Sequence, residues 1–256
     1  MMKKLFSSLF ILTLVLPVSS SPNIHQRTNN PNAWFMYFGD HSFNSHWGIH
    51  LEAQFRRYQM GLHPQQLLLR TGINYHFNKM AFITAGYCFV ETYPYGAFPV
   101  KTAYPEHRIW EQFQLKSQLG RFEWVNRLRL EQRFSNLPVL NTNSSTYEPG
   151  SAVYTNRFRI LNRISIPFKG NVIADKSLYV SVYDEILLNF GKNVAMNFLD
   201  QNRAYLALGY RIPKLGRLEF GYLEQTVYKP DGMRIENNRT LQVGLISNIE
   251  FKFKKP

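Results

Sequence analysis

The sequence predicts an all-β fold, a single antiparallel transmembrane β-barrel of about 10 to 12 strands, in a chain that begins with a cleaved signal peptide. Three observations carry that expectation. Apolar and charged residues alternate one by one, the connections between alternating segments come in two lengths, and aromatic residues gather at both ends of the apolar face. The composition agrees: 45% of the 256 residues are hydrophobic and 15% aromatic, yet the mean hydropathy is only −0.29. Such a chain can be aromatic and polar at once only if the two characters interleave. After Val18 no apolar run approaches the roughly 18 residues of a membrane-spanning helix.

Met1 to Lys4 carry two positive charges. The apolar stretch Leu5 to Val18 is about 14 residues long, too short for a bilayer that needs roughly 20. Small residues Ser19 to Ser21 follow. Residues 1–20 therefore read as a signal peptide, and residues 21–256 as one barrel domain. The expected location is the bacterial outer membrane. Cys88 is the only cysteine, so no intramolecular disulfide exists and the fold itself must supply the stability.

The first alternating stretch is a short one at 33–40. In 47–55, Trp47, Ile49, Leu51, Ala53 and Phe55 alternate with His50, Glu52 and Gln54. Noisier alternation marks 66–77, 80–92 and 107–119. In 121–134, Phe122, Trp124, Leu128, Leu130 and Phe134 occupy the even positions, and Arg121, Glu123, Arg127, Arg129, Glu131 and Arg133 the odd ones. Residues 154–166 repeat the pattern, with Tyr154, Phe158, Ile160, Ile164 and Ile166 opposite Arg157, Arg159 and Arg163. Segments 177–190, 199–212, 217–228 and 238–253 follow. Each reads as a strand with two unlike faces. The apolar face is assigned to lipid and the charged face to the lumen.

Short connections at 78–79, 120, 168–176 and 213–216 alternate with longer ones at 93–106, 135–153, 191–198 and 229–237. Tight turns on one rim and long loops on the other are the habit of outer-membrane barrels. On the apolar face, Trp47, Tyr75, Phe77, Phe122, Trp124 and Tyr210 fall near the short turns, whereas Phe134, Tyr154, Phe190 and Tyr228 fall near the long loops. Two aromatic girdles are what two membrane interfaces require. The last strand closes on Ile249, Phe251 and Phe253, like the aromatic C-terminal signature of bacterial barrels, although Lys254, Lys255 and Pro256 come after it. Residues 47–253 make ten strands, and bacterial barrels normally have an even count. Either a further strand before Trp34 raises the total to twelve, or 33–40 is a plug or edge segment.

Several phrases carry a resemblance: NAWFMYFGDH (32–41), LEAQFRRY (51–58), QQLLLRTGINYHF (65–77), ETYPYG (91–96), PEHRIWEQ (105–112), RLRLEQRF (127–134), NRFRILNR (156–163), YDEILLNFG (183–191), DQNR (200–203) and NNRTLQVGL (237–245). Together they resemble the DUF2490 family over essentially the whole mature chain. That resemblance implies bacterial proteins with a signal peptide and an outer-membrane barrel, frequent in Bacteroidetes. It assigns no activity and transfers no functional residue.

The charge, 30 lysines and arginines against 17 acids, is therefore expected inside the barrel and not along a nucleic-acid groove. The lumen-lining candidates are Arg127, Arg129, Glu131, Arg157, Arg159, Arg163, Glu185 and Arg203, with Glu52, Glu219 and Glu111 as further counter-charges, Glu111 on the less clear side of its strand. Two readings follow. The first is a narrow channel whose arginine lining favours small anionic solutes. The second is a structural or surface-interaction barrel with a salt-bridged, closed lumen, since open aqueous pores need 16 to 18 strands. A lipid hydrolase or acyltransferase comes third. His50 and His76 fall on the lumen face, and His107, which falls outside, has no adjacent serine. No cofactor or metal spacing is present. The expected partners are outer-membrane lipid, the barrel-assembly machinery and small anionic solutes.

Overall fold

The computed structural model describes residues 26–251. The signal peptide 1–20 and Phe253 lie outside the described residues. The barrel strands are β1 (Gln26–Ser42), β2 (Trp47–Tyr58), β3 (His63–His76), β4 (Ala81–Thr92), β5 (Tyr104–Leu119) and β6 (Phe122–Ser135), then β9 (Val153–Pro167), β10 (Leu178–Phe190), β11 (Leu199–Ile212), β12 (Gly216–Tyr228) and β13 (Arg234–Ser247). A small hairpin, β7 (Pro138–Asn141) and β8 (Thr146–Pro149), stands inside the β6–β9 loop. The sequence expectation leaves that segment as loop.

Eleven strands close the barrel in the order β1-β13-β12-β11-β10-β9-β6-β5-β4-β3-β2. Neither even count is observed. Every hairpin reverses the chain, so with an odd number the first and last strands must point the same way. β1 accordingly pairs with β13 in parallel and with β2 antiparallel. The segment at 33–40 is no plug or edge piece but belongs to the second half of a 17-residue strand. Its first half escapes a hydrophobic reading because Thr28 to Asn32 are polar and include Pro31, a residue poor in strands. The lumen resolves this locally: Asn30 and Asn32 are buried and both donate to Asn238 Oδ1, at 3.0 and 3.2 Å.

β13 ends at Ser247 instead of continuing to 253. Beyond it, Ser42 N donates to Ile249 O (3.0 Å) and Phe251 N donates to Ser42 O (2.9 Å), so the chain keeps contact with the end of β1. The Phe251 ring lies against Phe43 and His41.

The connections 43–46, 77–80, 120–121, 168–177 and 213–215 lie at one rim with the end of β13. Those at 59–62, 93–103, 136–152, 191–198 and 229–233 lie at the other with the start of β1. One is shorter than its rim's habit: Gln59–Gly61 makes a single 3₁₀ turn whose three residues all have positive φ. The outward face is apolar and exposed, for instance at Ile73, Ile109, Leu128, Leu206 and Phe220. Trp47, Phe77, Phe122 and Tyr210 face outward near the short-turn rim, and Phe134, Tyr154 and Phe190 near the long-loop rim. Trp47 packs on Tyr75 and Tyr75 on Phe77, with ring centroids 5.0 and 5.5 Å apart. A polar row crosses this surface, because register sets Asn126 beside Asn162 and Asn162 beside Asp184. Asp184 accepts from Asn202 at 2.9 Å.

Candidate functional site

The buried centre of the molecule is polar and lies inside the barrel. Period two sends Arg127, Arg129, Glu131 and Arg133 inward from β6, and the same rule sends Arg157, Arg159 and Arg163 inward from β9. Eleven strands leave a lumen narrow enough for side chains to fill. The inward side chains therefore meet one another across it.

Glu131 is the hub. It is 0% exposed. Arg70 Nη2 and Arg159 Nη1 each donate to Oε1 at 2.8 Å, while Arg157 donates to Oε2 through Nε (3.0 Å) and Nη2 (2.6 Å). Arg108 stands 3.6 Å from the same carboxylate. These guanidinium groups come from β3, β5 and β9, so the cluster reaches well across the lumen. Glu185 is the second hub, accepting from Arg127 (2.8 Å), from Arg159 (2.7 and 3.0 Å) and from Arg203 (3.2 Å). Glu52 on β2 accepts from Arg70 at 2.9 Å and lies 3.8 Å from Arg129, four strands away. Glu106 holds both Arg108 and Arg133, and Asp200 takes the remaining arm of Arg157. Charges removed from water are costly unless paired and hydrogen-bonded, and these carboxylates accept at both oxygens or from several donors.

Two lumen tryptophans carry the guanidinium planes. Arg70 and Arg129 lie 5.1 and 4.8 Å from the Trp110 ring centre, and Arg56 and Arg203 lie 4.2 and 5.9 Å from that of Trp34. Trp110 and Trp34 are almost wholly buried. Each anchors an apolar patch within the lumen, Leu68, Cys88 and Val90 around the first, Met36, Tyr205, Ala207 and Leu223 around the second. Planar cations over aromatic faces gain most where water is excluded.

Nearer the short-turn rim, Glu219 accepts from Tyr179 at 2.7 Å and pairs with Arg163, and Arg217 reaches over to Glu123 (2.7 Å). His50 pairs with Asp40 at 2.8 Å. A cavity of about 180 Å³ remains on this side of the ionic layer, and one of about 160 Å³ on the long-loop side. Arg159 and Arg203 line both. The layer thus lies between two cups. The long-loop cup is covered by residues 93–103: Tyr95 donates to Glu236 at 3.1 Å, and Phe98 lies beneath Arg234. Burial against the Glu236 carboxylate pushes the Tyr95 phenol up, so it stays a donor.

All eight lumen candidates face inward. Seven join the two hubs or their neighbours, and Arg163 belongs to the separate Glu219 group. Glu52 and Glu219 act as the counter-charges expected of them. Glu111 does not: it faces outward and accepts from Gln132 at 3.2 Å, because β5 points its even positions inward. That parity also hides Glu106, Arg108 and Trp110 from a reading that looks for aromatics outside. His76 is on the lumen face against Phe82. His107 is outside, 2.5 Å from the Tyr87 hydroxyl. Among the described residues no group of three or more His, Cys, Asp or Glu could hold a metal ion.

A closed β-barrel whose interior is filled by an arginine–carboxylate network is the class these features define. The family model described as "Protein of unknown function (DUF2490)" matches residues 31–236, most of the chain. The chain belongs to that family. No curated protein and no solved structure matches it.

Proposed function

We propose that the protein is an integral outer-membrane barrel that does not conduct, and that it acts at the cell surface through its long-loop side. The observation that carries this reading is Glu131, wholly buried and paired at once with arginines from three other strands, a cluster across the lumen that supports a sealed interior. The apolar outward face with aromatics at both ends supports a bilayer surrounding it, since a soluble barrel gains nothing from aromatic rings there. An arginine lining suits anions, but a conduction path needs room beside the charges. Among the described residues, each lining arginine but Arg56 has a carboxylate partner.

Two measurements test the proposal. The full chain expressed with its leader is expected in the outer-membrane fraction, migrating faster unheated than boiled on a detergent gel. Refolded protein in a planar bilayer is expected to give no steady conductance. Recovery as a soluble periplasmic protein would end the membrane reading, and a stable open current would restore the anion channel.

A further inference from the structure

The network holds more positive charge than it neutralises. Eight of its arginines have a carboxylate within 3.8 Å, and they share five between them: Glu52, Glu106, Glu131, Glu185 and Asp200. The ninth, Arg56 on β2, has no carboxylate partner among the described residues. It is only 8% exposed. Neutral groups hold it: Nε donates to Gln54 Oε1 (3.0 Å), Nη2 to the same oxygen (2.5 Å), and Nη1 to Gln66 Oε1 (2.6 Å), over the Trp34 ring. These bonds occupy three of its five N–H donors and orient the fork without cancelling its charge.

Arg56 lines the long-loop cavity. Six arginines and Lys229 face that space against a single lining carboxylate, Glu106. Lys229 is balanced by Glu236 at 2.7 Å, so it does not add to the arginine excess. A buried, uncompensated cation is costly, and the fixed guanidinium fork matches an oxyanion better than a spherical halide. The volume, about 160 Å³, is on the order of ten water sites.

We propose that this cavity binds a small soluble oxyanion of charge two or more, a phosphate or a polycarboxylate, with Arg56 as the group that meets it. Arg203 shares the Trp34 platform and flanks the site. The ligand enters from the loop side, past residues 93–103. The inference rests on the closed-barrel reading, because a cup with a sealed floor retains a ligand that an open lumen would pass.

The test is calorimetric titration of the full-length, refolded protein in uncharged detergent with inorganic phosphate, sulfate and citrate, each at fixed ionic strength. At least one is expected to bind saturably, tetrahedral anions or citrate deciding between the two chemistries. Arg56→Gln is expected to weaken that binding about 10- to 100-fold, the loss of charge-assisted bonds. Lys116 lines the cavity on the short-turn side, 3.5 Å from Glu123, and Lys116→Gln, which removes the same charge there, is expected to leave the anion binding unchanged. Persistence of the compact unheated band shows that each variant folds, and Arg56→Lys, which keeps the charge but not the fork, is expected to fall between wild type and Arg56→Gln. Absence of binding to all three anions, or equal binding by Arg56→Gln, would overturn the site even if the barrel never conducts. Saturable, Arg56-dependent binding in a barrel that does conduct would uphold the site and remove the closed floor.

Discussion

Replacing Glu131 by glutamine keeps the shape of the hub and removes its charge. Four charge-assisted hydrogen bonds converge there, each worth about 1.5–3 kcal/mol in mutational series. Their sum overstates the loss, since the amide oxygen still accepts and Arg70 and Arg159 keep Glu52 and Glu185. The relevant magnitude is that of breaking a buried ion pair from one side, about 3–5 kcal/mol, above the roughly 0.5–3 kcal/mol of most substitutions. The excess of arginine sharpens the expectation into an order. Glu131→Gln moves the network further from neutrality, whereas Arg157→Gln moves it closer and leaves Glu131 with Arg70, Arg108 and Arg159. Equilibrium unfolding of the refolded barrel in urea is expected to show the first variant much the less stable. A change below about 1 kcal/mol for Glu131→Gln, or the reverse order, would refute the claim that this carboxylate holds the lumen closed.

Leu128→Arg places a charge on the outward face and is expected to cost about 2–4 kcal/mol if that face meets lipid, while Arg129→Gln leaves insertion intact; equal failure to insert would invert the faces. Replacing Arg127, Arg157 and Arg159 together by glutamine is expected to lower the temperature at which the compact band is lost, seen on unheated gels across a temperature series. Gly209→Val must push aside the Tyr179 ring, whose atoms stand 2.2–2.6 Å from a Cβ at that position, and so break its bond to Glu219; overpacking of this kind costs about 1–3 kcal/mol, and unchanged urea unfolding would contradict it. Cys88 is 0% exposed on the lumen side, so a charged thiol reagent is expected to label it only after unfolding, and rapid labelling of the folded protein would mean that water crosses the network.

Periodicity of two is local, and the sequence by itself therefore determined which residues of 121–134 and 154–166 share a face. That was enough to place Arg127, Glu131 and Arg157 inside and Leu128 and Phe158 outside, because a pleated strand leaves no third choice. The family resemblance was equally legible, and equally silent about activity. Strand number was decided only by closure: β1 became a full strand because Asn30 and Asn32 find Asn238 on the last strand, a partner more than 200 positions away. The parity of β5 depended on its register with β4 and β6, which turned Glu111 out and Glu106, Arg108 and Trp110 in. Alternation could show that arginines line a lumen; it could not show that Arg70, Arg157 and Arg159 reach one carboxylate from different strands, since that distance is set by barrel diameter. Nor could it single out Arg56, whose lack of a carboxylate is a property of everything packed around it.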